Sequence, residues 1–263
     1  MLLRELKINL KTLILYTVIL SAMFVLIFSI YPSLITDDTK LMLDEMMKTM
    51  PEEMLASFNM DIIGIEDAYG WFKTEGYVFL VLIGAVYASI LGATILIKEE
   101  NDKTIEFLYS KPINRKQILT SKIICGLINI LLFTLIVTLF NFVALKDIDS
   151  FDSKEFFMIS LSIILVYYLF FFTLLFISTF YRKTKKSMAT GIAIVFVSYA
   201  MQLVGGISEK VEILKKISYF EFSSSRYIVL NNSLDTKYII AGIAIILICI
   251  LGTYYKYDKK EFI

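Results

Sequence analysis

The residues that could do chemistry in this chain are few and gathered in one place. Between two long apolar runs, the segment Lys98–Lys122 carries Glu99, Glu100, Asp102, Thr104, Glu106, Tyr109, Lys111 and Arg115. Such groups suit charge-assisted contacts, either with a partner protein or with neighbouring helices. Other chemistries lack their residues. The 263-residue chain has no histidine, which argues against zinc chemistry and against a site built on imidazole. Cys125 and Cys249 both fall inside apolar runs, where a thiol behaves as a small hydrophobe. No G-x-x-x-x-G-K-[ST] run occurs, so the chain has no Walker-type phosphate loop of its own. These observations assign no catalytic, cofactor-binding or metal-ligating residue.

Local rules give the segment a shape. Asn101 or Asp102 can cap a short helix, with Glu106 stabilised near its positive end. Ile105, Leu108 and Tyr109 then share one face through spacings of three and four. Pro112 ends the helix, because a residue before proline avoids helical geometry. The prediction is a short amphipathic helix roughly parallel to the membrane. The same residues also suit a solvated loop that carries a positive-inside bias.

The elements that must position this segment are membrane spans. The chain is 57% hydrophobic and 19% charged, with a mean hydropathy of +0.72. A soluble domain is roughly 45–50% apolar and about 25% charged. Six stretches hold no charged residue: Thr12–Thr36, Gly76–Ile97, Ile123–Leu145, Phe156–Tyr181, Ser187–Ser208 and Tyr238–Tyr255. They predict spans at approximately 13–35, 77–97, 119–145, 156–181, 187–207 and 238–255, each close to the roughly 18–20 residues a bilayer requires. The first is too long for the apolar core of a secretory signal and is read as a retained helix. Ser198, Gln202, Gly205 and Gly206 predict that the fifth faces other helices more than lipid. Lys122, at the entry of the third, is expected to snorkel to the headgroups.

Lys and Arg alternate between connections. The N-terminal arm (Arg4, Lys7, Lys11), the loop after the second span, the cluster Arg182–Lys186 and the tail (Lys256, Lys259, Lys260) are basic. The long connection Pro32–Glu75 is mainly acidic. Both termini are therefore expected in the cytoplasm. Leu43, Met46, Met47, Met50, Met54 and Phe58 predict an outer helix divided by Pro51. Trp71 and Tyr77 are expected to anchor at the headgroup level. The segment Glu209–Lys237 is too apolar for a solvated loop and too charged to span, which suits an interfacial helix or a re-entrant pair. A net charge of +1 gives no reason to expect nucleic acid.

The run Glu100, Thr104, Glu106, Leu108, Ser110, Lys111-Pro112-Ile113, Arg115 and Lys122, directly after the second span, resembles the first cytoplasmic loop of type-2 ABC-transporter permeases. Lys103 stands where glycine often precedes the threonine, which should forbid a turn that glycine allows. Tyr109 stands at a second leucine. The whole plan is similar too: a basic arm, six spans, a long outer loop and an apolar outer segment before the last span. The resemblance implies a single permease domain over 1–263. Its fold class is an all-α integral membrane protein with an N-terminal interfacial helix, a short cytoplasmic coupling helix and extracellular interfacial or re-entrant helices. The implied function is export of an unidentified substrate, with loop 98–117 docking on a separate ABC ATP-binding subunit. The residues expected at that contact are Glu99, Glu100, Thr104, Ile105, Glu106, Leu108, Tyr109, Lys111, Pro112 and Arg115. The implied partners are two copies of the ATPase, a second permease of the same or a related chain, and membrane lipid. No cofactor is expected in this chain; ATP and Mg are expected on the ATPase.

Two other readings suit the hydropathy, a secondary transporter and a non-transporting scaffold or sensor component. The first usually places ionisable relay groups inside the membrane, and the six uncharged runs speak against it. An intramembrane enzyme lacks both histidine and a buried acid.

The topology is directly testable. Single cysteines at Asp44, Asp149 and Ser233, in a background without Cys125 and Cys249, should react with an impermeant thiol reagent on whole cells. Labelling at Ser110 or Thr184 under the same conditions would refute the assignment.

Overall fold

The computed structural model describes residues 2–34, 39, 41–42, 45, 48–50, 55, 68–104 and 114–260. It is all-helical, with no strand among the described residues. Among the described residues six helices are long and apolar enough to cross a membrane. In chain order the helices are α1 (Leu2–Leu34), α2 (Ala68–Ile95), α3 (Lys98–Asn101), α4 (Arg115–Leu145), α5 (Ser153–Ser178), α6 (Thr184–Ile207), α7 (Glu212–Ile217), α8 (Ser225–Asn231) and α9 (Thr236–Asp258). The methionine-bearing segment expected over Leu43–Phe58 lies largely outside the described residues.

The basic arm is continuous with the first span. No glycine or proline interrupts the chain before Pro32, so α1 runs unbroken for 33 residues. At about 1.5 Å per residue it outreaches a hydrocarbon core of about 30 Å. Glu5, Leu13, Leu20 and Phe24 are its buried positions, spaced as one helical face turned to α4. α2 contains a π-turn over Phe72–Gly76, where Thr74 Oγ1 donates back to the Gly70 and Trp71 carbonyls at 3.2 and 3.1 Å. Asp152 caps α5 by accepting from the Lys154 and Glu155 amides at 2.8 and 3.2 Å.

The helices are not equivalent. The apolar windows of α2 and α5 are 61% and 67% buried, against 17% for each of α1, α6 and α9. The α2–α5 pair is therefore the centre, α4, at 44%, is intermediate, and α1, α6 and α9 form the rim. Glycine makes that pair close. A side chain at Gly92 would place its Cβ 2.3 Å from the Phe171 carbonyl oxygen, and one at Gly84 would strike the Tyr167 ring. Small residues let membrane helices approach backbone to backbone. Tyr167 then donates to the Leu80 carbonyl at 2.7 Å. On the other side of α2, Ser187 of α6 donates to the Ala93 carbonyl at 2.8 Å, and Ser89 donates to the Gly191 carbonyl at 3.1 Å.

The fifth connection folds inward. Ser218 donates to the Ser198 carbonyl at 2.8 Å, and the Tyr219 amide donates to Ser198 Oγ at 3.0 Å. Ser198 lies nine residues before the end of α6, about 13 Å along the helix. The turn Ser218–Tyr219 thus reaches well into the bundle, which makes the segment re-entrant rather than laid flat. Its backbone polar groups are covered by a short 3-10 helix, Tyr219–Ser223, and by packing on α5, with the Phe170 ring 5.2 Å from Tyr219 and 5.5 Å from Phe220. Irregular backbone at this depth requires such cover.

Two expectations change as a result. α6 is among the more exposed spans, because only two of its faces are covered: Ser187 and Gly191 meet α2, and further along Gln202 donates to Glu221 at 2.7 Å and Gly205 faces the Lys215 backbone of the re-entrant segment. Its remaining faces, with Phe196, Val197 and Val204, are open. Tyr77 is not a headgroup anchor; it is buried, with its hydroxyl 2.6 Å from Ser223 Oγ. A tyrosine facing an apolar bundle needs such a partner. Trp71 packs edge-on against Phe24 and Phe28 of α1.

The close contact at Gly92 predicts that Gly92→Ala destabilises the protein by about 1–3 kcal/mol, because the facing atom is backbone and cannot swing away. Thermal unfolding of the purified protein checks this. An unchanged transition temperature would mean that α2 and α5 do not meet at Gly92.

Candidate functional site

The site is the end of the bundle from which the segment after α2 departs. α2 stops at Ile95 and one turn, α3, follows at Lys98–Asn101. It closes with the Thr104 amide on the Glu99 carbonyl at 2.9 Å and the Lys103 amide on the Glu100 carbonyl at 3.3 Å, the paired bonds of a Schellman ending. Such an ending requires a left-handed residue, and Lys103 supplies it at φ 55°. The expectation that lysine forbids this turn is therefore overturned. The side chain tolerates a left-handed backbone at a cost of roughly 1–2 kcal/mol. Asn101, expected with Asp102 as a candidate cap of the helix that follows, accepts the Thr184 amide at 3.2 Å at the start of α6; that expected helix lies outside the described residues.

Lys122 is the centre of the arrangement. It does not snorkel: its side chain is fully buried. Its Nζ lies 2.9 and 2.7 Å from the two Glu99 oxygens and 3.7 Å from Glu5 Oε2, and it donates to the Ile95 carbonyl. Glu99 and Glu5 are 3% and 1% exposed. One ammonium thus ties α4 to α1, to α3 and to the last carbonyl of α2. A buried charge persists only when paired and hydrogen-bonded in this way. The polar seam continues along α1 and α4, where Asn9 and Asn129 each point an amide at Cys125 Sγ, at 3.6 and 3.3 Å.

A second set ties in the tail. Lys260 donates to Glu100 Oε2 at 2.6 Å and to the Tyr181 carbonyl at 2.8 Å. Arg182 Nε lies 3.7 Å from the other Glu100 oxygen. Arg115 Nη1 donates to the Asp258 and Lys260 carbonyls at 3.0 and 2.9 Å, where a cation at a helix C-terminus also complements the dipole. The arm, the loop base, the α5–α6 turn and the tail, which are the four basic segments of the sequence, therefore gather at one end.

Of the residues expected at a partner contact, Glu99, Glu100 and Arg115 are brought together as braces, and Thr104 is exposed beside them. Ile105, Glu106, Leu108, Tyr109, Lys111 and Pro112 lie outside the described residues. Sequence reasoning missed Glu5, whose signal was its i, i+4, i+8 register with Asn9 and Leu13, and it missed the part played by Lys260. Among the described residues, no group of three His, Cys, Asp or Glu side chains could hold a metal. What the arrangement can do is mechanical. It fixes the root of the loop to α1, α4, α6 and α9, so that a force on the loop reaches those helices together.

Removing the ammonium should be costly. Lys122→Met leaves two buried carboxylates without a counter-ion and should destabilise the protein by about 3–5 kcal/mol. Combining it with Glu99→Gln and Glu5→Gln should recover much of that loss. Thermal unfolding of the unaltered protein, the single variant and the triple variant is the measurement. An equal loss in the triple variant would mean that packing, not charge pairing, is what Lys122 supplies.

Comparison with curated proteins and with solved structures finds no match. A family model described as ABC-2 family transporter protein matches residues 4–262. The match takes in all six apolar helices together with Glu5, Glu99, Lys122 and Lys260, and by it the chain belongs to the ABC-2 transporter family.

Proposed function

We propose that the chain is the permease subunit of an ATP-driven exporter, multi-pass in the cell membrane with both termini in the cytoplasm. In this reading it pairs with a second permease, a copy of itself or a related chain, and with two copies of a separate ABC ATP-binding subunit that holds the ATP and Mg. The family match over residues 4–262 carries the reading. The six apolar helices support the membrane setting, and the Lys and Arg distribution supports the orientation.

The geometry favours a division of labour within loop 98–117. Glu99 and Glu100 are 4% and 5% exposed at their side chains and are held by Lys122 and Lys260. Arg115 is engaged with the tail. These three brace the loop, and the surface for the ATPase falls to Thr104 and the stretch that follows it. A short helix there is too short to be stable alone, since isolated helices below roughly 12–15 residues are marginal in water. Packing of Ile105, Leu108 and Tyr109 against the partner would order it. Glu106 and Lys111 would add charge-assisted contacts at the rim. Nucleotide-driven movement of the ATPase would then pull on the loop, and the Glu99–Lys122–Glu5 group would pass that pull to α1 and α4.

Purified alone, the chain should neither bind nor hydrolyse ATP, whereas transport should appear with its ATP-binding partner. Ile105→Ala, Leu108→Ala and Tyr109→Ala together should uncouple hydrolysis from transport. Glu106→Lys should leave an intact membrane protein whose association with its partner, and with it the stimulated hydrolysis, is weakened, since reversing a rim charge turns an attraction into a repulsion. Normal transport by all of these variants, or robust ATPase activity of the chain alone, would overturn the proposal.

A further inference from the structure

At the opposite end of the bundle, a cavity of about 220 Å³ lies between the outer half of α5, the re-entrant segment and the start of α9. It is smaller than the roughly 300–1,000 Å³ of a pocket that encloses a drug-sized molecule, so it suits a head group. Its polar end is formed by Glu221 and Asp235, and its walls by Phe222, Tyr227 and Tyr238. Its mouth is flanked by Leu161 and Ile243, which are 58% and 49% exposed on the outward faces of α5 and α9.

Its charge is one-sided, with two carboxylates and no cation in the lining. Ser162 donates to its own helix at 2.7 Å. Ser224 Oγ accepts the Tyr227 amide at 3.4 Å, and the Ser223 hydroxyl is engaged with Tyr77. The carboxylates keep spare acceptors. Glu221 uses Oε2 for Gln202 at 2.7 Å, and its nearest ammonium, Lys215, is 4.0 Å away. Asp235 uses Oδ1 for the Lys237 amide at 2.9 Å. Neither Glu221 Oε1 nor Asp235 Oδ2 accepts a hydrogen bond among the described residues. Burial pushes the Glu221 carboxyl above its ordinary value; Lys215 and Gln202 hold it down, and Asp235 and Glu212 add to the rise. Two carboxylates against one distant ammonium leave an excess of negative charge beside three aromatic rings. That combination attracts a cation, because carboxylates attract it by charge and ring faces by their quadrupoles. An anionic head would meet this excess of negative charge with no ammonium closer than Lys215 to offset it.

We propose that this cavity binds the head of an amphipathic organic cation, a quaternary or protonated amine whose tail leaves along the gap between Leu161 and Ile243. The ammonium could belong to a free amphiphile or to a choline-type lipid headgroup, and the chemistry of recognition is the same. The inference goes beyond the permease reading and is tested without any ATPase, so either can fail alone.

The test is equilibrium binding of radiolabelled decyltrimethylammonium to the purified full chain in dodecyl maltoside, with empty micelles subtracted. Saturable binding is expected, with competition by tetramethylammonium at higher concentration and none by decanol. Displacement by phosphatidylcholine would identify a lipid headgroup as the natural occupant; its failure to displace would identify a free amphiphile. Glu221→Gln keeps the acceptor for Gln202, and Asp235→Asn keeps a good helix cap. Each should weaken binding about tenfold or more. Ile239→Trp, which fills the cavity without altering charge, should abolish it and serves as the second variant should a carboxylate change fail to fold. Non-saturable binding, competition by decanol equal to that of the labelled cation, or affinity unchanged by all three substitutions would overturn the proposal.

Discussion

An ammonium inside an apolar bundle has to be paired, and Lys122 is paired from three directions. Its hydrogen-bond demands fix where α1 begins to pack, since Glu5 must reach it, and where α2 must end, since the Ile95 carbonyl and Glu99 must both turn towards it. Neither carboxylate is free to leave, because each would remain buried without a counter-ion. The short turn of α3, its left-handed closure at Lys103 and the direction in which the loop departs all follow from presenting Glu99 inwards while leaving Thr104 outside. The adjoining Glu100–Lys260 pair applies the same rule to the tail, at 2.6 Å and with side chains 5% and 10% exposed.

The rest of the bundle rests on a different economy. α2 and α5 share one ion pair, Lys73 with Glu155 at 3.2 Å, and are otherwise held by backbone proximity at Gly84 and Gly92 and by hydroxyls that donate to carbonyls already inside the helices. Such bonds add directional contacts without exposing an unpaired group to lipid. The re-entrant segment follows the same logic. Ser218 donates to the Ser198 carbonyl, Ser198 Oγ accepts the Tyr219 amide, and Phe220 and Phe222 fill the space beside α5. One end of the molecule is thus an ionic clamp around the root of a loop, and the other is an aromatic fold-back with a small acidic cavity. The first suits a place where force enters. The second suits a place where a small part of a molecule is held.

The family match agrees with the resemblance carried by the segment Glu100–Lys122. The structure adds that several residues within that pattern serve the chain itself. Glu100 and Arg115 bind the tail and Lys122 binds Glu99. A pattern of this kind in a sequence therefore mixes groups that hold the loop with groups that face outwards, and burial separates them.

The sequence by itself determined the class of molecule. Six charge-free runs must be helices in a bilayer, because only helices satisfy their own backbone within one segment, and period and length alone reveal them. The basic segments were equally legible, and so was an apolar, non-spanning segment before the last span, though not whether it lies flat or folds inward. What only the tertiary structure decided are the pairings between residues far apart in the chain. Glu5 looked like a stray acid in a basic arm, Lys122 like a snorkelling residue and Tyr77 like a headgroup anchor. Each has its meaning from a partner 23 to 146 positions away. No local rule announces such a partner, because a polar group near a span end is equally stable in the headgroups or beside a counter-ion. Packing of the helices removes the first choice and leaves the second.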